Sequence, residues 1–362
     1  MKTKSYTSSR FHDDGSTLHC LDFKRKMWDD TVHDIKSNIS FDSEDHRQPL
    51  PSCIWTKLTF FKDPRTNKKF LFLIGGYIGD PLNRDKWTAF NHGQFMTVLM
   101  VDISDKSWQV LNTTGAAPAR FRHAVACIGN DIYVFGGRSK FPERDHEGED
   151  NWRCSPEEIL HTYSVLSFDP DTSQWTWRVP EQSLPERVKK LGFHIEALVM
   201  ESPGFGKNKI FLSPGMMGEK ELCYLDFSKF CLFTPSTGAA MTWDGGPQPT
   251  EAPSGEIGFH EVIPFTSARY NGGQSDSVIF AVLGENSDTY DFYHYKPPYN
   301  DEFRHLGDID NTFTKRRIKD GTVKTGLSKS FVGCVAVGGK TYILAKGCED
   351  VLDTIAEVSF MV

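Results

Sequence analysis

Three histidines each follow a residue suited to molecular recognition: Arg122-His123, Phe193-His194 and Phe259-His260. The last two sit in an echo, Leu191-Gly-Phe-His194 and Ile257-Gly-Phe-His260. Two chemistries compete for this pattern. Histidines at matching places can ring a metal ion, since zinc sites draw on imidazole and thiolate ligands. Arginine and large rings are instead the side chains that dominate protein-binding hot spots. Successive residues of a strand point to opposite faces. An arginine and rings sharing one side therefore turn the histidines to the other, to be packed or hydrogen-bonded. The pattern predicts no metal ligand set, no cofactor and no catalytic residue. His12-Asp13-Asp14 and Asp308-Ile-Asp310 are carboxylate-rich but read as solvated turns. The acidic run Glu143–Glu158 and the basic run Lys315–Lys319 read as solvated loop surface, with partner docking, and for the basic run a nuclear address, as the alternatives.

These residues must be positioned by short strands. From Pro118 to Gly137 the chain reads as two strands and a tight turn. His123–Ile128 is small and apolar, and Ile132–Phe135 is β-branched and aromatic, as strands prefer. Gly129-Asn130-Asp131 accepts the positive φ that hairpin turns need. Gly136-Gly137 ends the second strand, where a side chain would obstruct close backbone packing. The same signal recurs at Phe70–Gly76 with Gly75-Gly76. Weaker copies follow at Lys209–Gly215, Val278–Gly284 and Thr341–Gly347. No helix follows either glycine pair, so neither is a phosphate cradle. Glu157–Leu160 and Pro185–Val188 are each good for one helical turn at most.

A second signal supplies the other half of each unit. Asp22 precedes Trp28, Asp102 precedes Trp108, and Asp169 precedes Trp175 by the same interval. The aspartate accepts a tight turn, and the indole is then buried between neighbouring sheets. Cys223–Asp226 and Tyr293–Tyr295 begin degraded copies without the tryptophan. Four antiparallel strands per unit resemble a kelch repeat, the blade of a β-propeller. The resemblance covers most of residues 16–361 and is most specific over 118–177.

The resemblance implies an all-β, kelch-like propeller spanning 1–362 as one domain, with residues 1–15 an N-terminal extension or edge strand. Six blades fit best, with five or seven as alternatives. Residues 16–31 offer a third and fourth strand, and residues 329–361 offer two or three others. Both ends sharing a blade would close the ring and cover open edges. Related propellers bind other proteins, and a minority are enzymes such as galactose oxidase or the iron-dependent specifier proteins. In those relatives the residue at the place of Arg122 lines a ligand pocket.

Alternate connections of a meander emerge on opposite faces. Most of the long segments, Val32–Pro51, Tyr77–Gln94, Arg138–His161, Ser236–Glu256 and Leu306–Thr325, fall on one face, with Ser202–Asn208 and Thr266–Ser277 the exceptions on the other, and long loops on a rigid scaffold carry function. At the loop-rich face Phe193, Phe259 and Phe331 would ring the mouth of the shaft around Arg122. The alternatives are rings that pack between blades and an Arg122 held in a structural ion pair. The net charge of −7 argues against general nucleic-acid or anionic-membrane binding. No run approaches a membrane span or a secretory signal. Eight cysteines without a Cys-x-x-Cys pair suit a reduced, cytoplasmic or also nuclear setting. Cys127 and Cys334 read as small buried hydrophobes. The expectation is a non-enzymatic protein-interaction scaffold. Its rival is an enzyme with a metal or small-molecule site in the shaft.

Overall fold

A computed structural model describes backbone and side chains for residues 56–76, 96–139, 159–180, 195–199, 208–212 and 231–239, and backbone strands at further places along the chain. Among the described residues none is helical. Two units divide the chain, Met1–Ile195 and Glu196–Val362.

In the first unit two sheets share one plan. Lys57–Lys62, Lys69–Ile74, Val98–Asp102 and Ser107–Val110 form an antiparallel meander, the 57–110 sheet. Ala124–Ile128, Asp131–Phe135, Tyr163–Asp169 and Gln174–Arg178 form another, the 113–178 sheet. Each gains a fifth strand, laid parallel on its last strand by the chain that precedes the meander. Lys36–Ser37 pairs with Ser107–Trp108, and Thr113–Thr114 pairs with Trp175–Thr176. Both outer edges are thus covered, which removes a template for unwanted pairing. The segment expected as a plain loop over Val32–Pro51 therefore includes an edge strand. Likewise Tyr77–Gly79, the start of another expected loop, pairs with Ser52–Ile54. The Ser236–Glu256 and Leu306–Thr325 segments also overlap strands, Ala239–Thr242 and Arg304–Asp308.

The core lies between the two sheets. Phe61, Phe72, Ile74 and Val98 of the first meet Ile132, Val134, Leu166, Phe168, Trp175 and Trp177 of the second. Trp175 lies 4.8 Å from the Phe61 ring, 4.9 Å from Phe72 and 4.9 Å from Phe168. The indole expected between sheets is there, clasped by rings from both. Trp108 is buried too. Its register with Val101, and through Val101 with Leu71, puts it on the opposite face of the 57–110 sheet from Phe72. Each tryptophan thus faces backward along the chain, away from the sheet that follows it.

The aspartates six places earlier act as expected. Asp102 Oδ1 accepts from the Ser104 and Asp105 amides at 2.8 and 3.2 Å, and Asp169 Oδ1 from the Asp171 amide at 2.9 Å. The hairpin turn is tight: Ile128 pairs with Asp131, and Gly129 takes a φ of 58°. The first strand begins at Ala124, one residue later than the sequence suggests. The expected helical turn at 157–160 is absent at its end, where Ile159 bridges Arg138. The one at 185–188 lies outside the described residues.

In the second unit Ala197–Met200, Lys209–Leu212, Cys231–Thr234 and Ala239–Thr242 form a meander. A five-stranded antiparallel sheet runs in the order Cys223–Leu225, Ile257–Thr266, Val278–Gly284, Tyr290–Tyr295, Arg304–Asp308. Phe331–Val337, Lys340–Ala345 and Thr354–Val358 make a third sheet. Near the N-terminus Cys20–Asp22 pairs with Lys4–Tyr6 on one side and Met27–Trp28 on the other.

Candidate functional site

The second-to-third-strand connections of the 57–110 and 113–178 sheets leave from the same sheet end at which Ala124–Ile128 begins. Their roots are laced together by the segment 117–123. Met96 N–H donates to Ala117 O at 2.8 Å, and Gly76 N–H to Arg120 O at 3.0 Å. Phe121 and Arg138 exchange two backbone hydrogen bonds, at 3.1 and 3.0 Å. Leu160 N–H then donates to Gly137 O at 2.8 Å. One strap therefore ties the loop roots of two adjacent sheets.

Arg122 sits on this strap, in a bend ahead of the strand rather than in it. Its φ is 53°, in the left-handed region that residues with a Cβ usually avoid. Strain of this kind persists where surrounding contacts over-determine it, and it clusters at functional sites. The Arg122 side chain is half-buried.

The next residue, His123, is fully buried. It fills the space left by two glycines. A methyl group added at Gly75 would stand 2.5 Å from Arg120 O and 2.8 Å from His123 Cε1. One added at Gly137 would stand 2.7 Å from Phe121 O and 2.8 Å from His123 Cβ. The glycine pairs thus admit the strap and its imidazole against both sheets. Burial holds the His123 pKa well below its ordinary value, and the positive charges of Arg120 and Lys57 add to this. The carbonyls of Ile74 and Arg120 lie beside the ring, yet neither nitrogen is in hydrogen-bonding geometry. His123 is a packed residue. Among the described residues no group of three or more His, Cys, Asp or Glu is arranged to hold a metal.

Two further arginines stand here that the sequence reading did not single out. Arg120 and Arg138 are each 1% exposed. The Arg138 guanidinium lies over the Phe121 ring at 5.8 Å. Arg120 donates to Gly136 O at 3.1 Å, Thr162 O at 3.0 Å and Ser164 Oγ at 3.1 Å. Burial lowers its pKa to about 10. The sequence carries a signal for Arg120 in Pro118-Ala-Arg-Phe-Arg122, where two arginines alternate. Cys127 is half-buried and Cys231 buried, and burial pushes both thiols up to about 12, so neither is a ready nucleophile.

The remaining residues lie elsewhere. Phe259 is the first paired residue from Gly284, and Phe331 is the first from Ala345. A register irregularity follows each. Both phenylalanines thus begin the ladder to the following strand, but Phe259 also pairs with Cys223, so its strand is not the sheet edge that an innermost strand would be, whereas that of Phe331 is. Trp28 pairs in register with Leu21. Phe193 lies outside the described residues.

Antiparallel meanders, a glycine-relieved hairpin and a backward-facing tryptophan make the described residues all-β, with sheets arranged as in a kelch repeat. Residues 119–159 match the Kelch motif. Over 142 residues the chain is 28% identical to human Host cell factor 2, a kelch-repeat protein and a distant homologue. The match takes in 37% of this chain and 15% of that relative's length.

Proposed function

We propose that this chain is a non-enzymatic protein-interaction module, a kelch-like propeller of six blades that grips its partner at the loop-bearing sheet end. Kelch repeat domains are typically modules of this kind. The observation that carries the proposal is Arg122. It occupies a left-handed bend on a strap that ties the roots of two long connections. Arg122 is the cationic anchor. By their matching places in the sequence repeats, Phe193, Phe259 and Phe331 are proposed as its aromatic partners, and an acidic or aromatic segment of a binding protein is the natural match. In this reading N- and C-terminal strands close the ring.

The test is quantitative affinity capture with wild type and Arg122→Ala, the fold of each checked by circular dichroism. Partner recovery falls about tenfold for a hot-spot arginine. Equal recovery by a folded Arg122→Ala protein would overturn the proposal. Stoichiometric copper or iron in the purified protein would favour the enzyme reading instead.

A further inference from the structure

We infer that Arg120 is the positioning residue of this site, a clamp that sets the neck of the 137–161 connection and the strap on which Arg122 rides. The inference rests on the proposed reading of this sheet end only for its effect on binding. Its geometry stands alone.

A single nitrogen, Nη1, meets carbonyls at both ends of the connection, Gly136 at 3.1 Å and Thr162 at 3.0 Å. The same two residues share a backbone bond, Gly136 N–H to Thr162 O at 3.1 Å. The second arm, Nη2, fixes the plane of the fork on Ser164 Oγ at 3.1 Å. Nε points back to the strap, 3.4 Å from Pro118 O. One side chain therefore reads the strap, the exit of the connection, its return and the following strand. The planar fork can do this with fixed angles, and a lysine ammonium cannot.

Energetics point the same way. Arg120 is 1% exposed, and among the described residues its hydrogen-bond acceptors are three carbonyls and a hydroxyl, with no carboxylate. Removing a charge from water is costly, and apolar replacements of buried charges are often neutral for stability. An apolar side chain here would leave the carbonyls of three separate segments without this donor. What the guanidinium adds is register between segments.

The experiment is amide hydrogen exchange on the full chain, for wild type, Arg120→Met, Arg120→Lys and the milder Ser164→Ala. The clamp predicts that the amides of Gly136, Arg138 and Leu160 exchange about tenfold faster in both Arg120 variants, while those of Asp131–Phe135 keep their protection. Ser164→Ala gives a smaller shift at the same amides. Unchanged neck amides overturn the inference. So does loss of protection that spreads equally through the strands, because Arg120 would then be a general brace. A second arm uses an array of acidic nonapeptides, each with one tyrosine. Arg120→Met weakens the peptides that wild type binds by about tenfold although Arg122 is intact. Equal binding overturns the positioning role. An array that wild type does not bind counts against the proposed function, and the exchange arm still decides the clamp.

Discussion

At the scale of single residues, the strap is where small changes cost most. Gly137 has a φ of 89°, and an added methyl would meet Phe121 O at 2.7 Å. Gly129 has a φ of 58° and nothing within 4 Å of the same methyl. Both substitutions to alanine incur the left-handed penalty of about 1–2 kcal/mol. Only Gly137→Ala adds a backbone clash, so it should destabilise by roughly 2 kcal/mol more than Gly129→Ala in urea titrations. His123 adds a pH dependence. Its folded pKa lies well below 6.5 because the ring is buried. The unfolded chain therefore takes a proton below about pH 6.5 that the folded chain refuses. Stability contributed by the neutral imidazole is full above that pH. It falls as pH drops, by up to about 1.4 kcal/mol per unit, until the folded pKa is reached. Urea midpoints at pH 7.5 and 5.5 check this. His123→Gln should shrink the wild-type difference, and an unchanged difference would assign it to other groups.

At the scale of strands and sheets, the joint between the two meanders rests on one aromatic cluster. Trp175 touches three phenylalanine rings from two sheets. Trp175→Ala should cost about 3–5 kcal/mol, and Trp175→Phe less, read from thermal melts and from loss of near-ultraviolet dichroism. This much was legible in the sequence, because a turn aspartate, a fixed interval and a large ring form a local pattern. Most strand positions were legible for the same reason, since alternation and turn residues act within a few positions, but Cys223–Leu225, expected to open the second half of its unit, pairs instead with Ile257–Phe259, and Cys231–Thr234 takes its place beside Lys209–Leu212. The fifth strands were not legible, since Lys36–Ser37 and Thr113–Thr114 carry no run long enough to signal a strand, and only the distant edge they cover explains them. Arg122 stands out in the sequence as the arginine at the repeat slot that phenylalanines hold elsewhere. Its left-handed backbone was hidden, because an arginine carries none of the glycine signal that marks such a φ. Arg120 was missed because its role is set by Gly136, Thr162 and Ser164, which only folding brings to it.

At the scale of the whole chain, the direction of each sheet matters more than its contents. Trp175 faces the preceding sheet, and the register of Trp108 turns it the same way. Sheets that each present one face backward and the other forward can stack in only two ways, as an open row or as a closed ring. An open row would leave the outermost face at each end uncovered, and exposed apolar patches favour association. Closure would cover both, and under the proposed ring the N-terminal strands would then lie beside the C-terminal sheet. Facing sheets pack about 10 Å apart. Cysteines placed at Lys24 and Asp353 and labelled as a donor–acceptor pair should therefore report a separation of a few nanometres at most, with high transfer that collapses cooperatively in urea. Low transfer in the folded protein would rule out the ring. It would leave the strap, its arginines and the Trp175 joint in place, because each of those lies within the Met1–Ile195 unit.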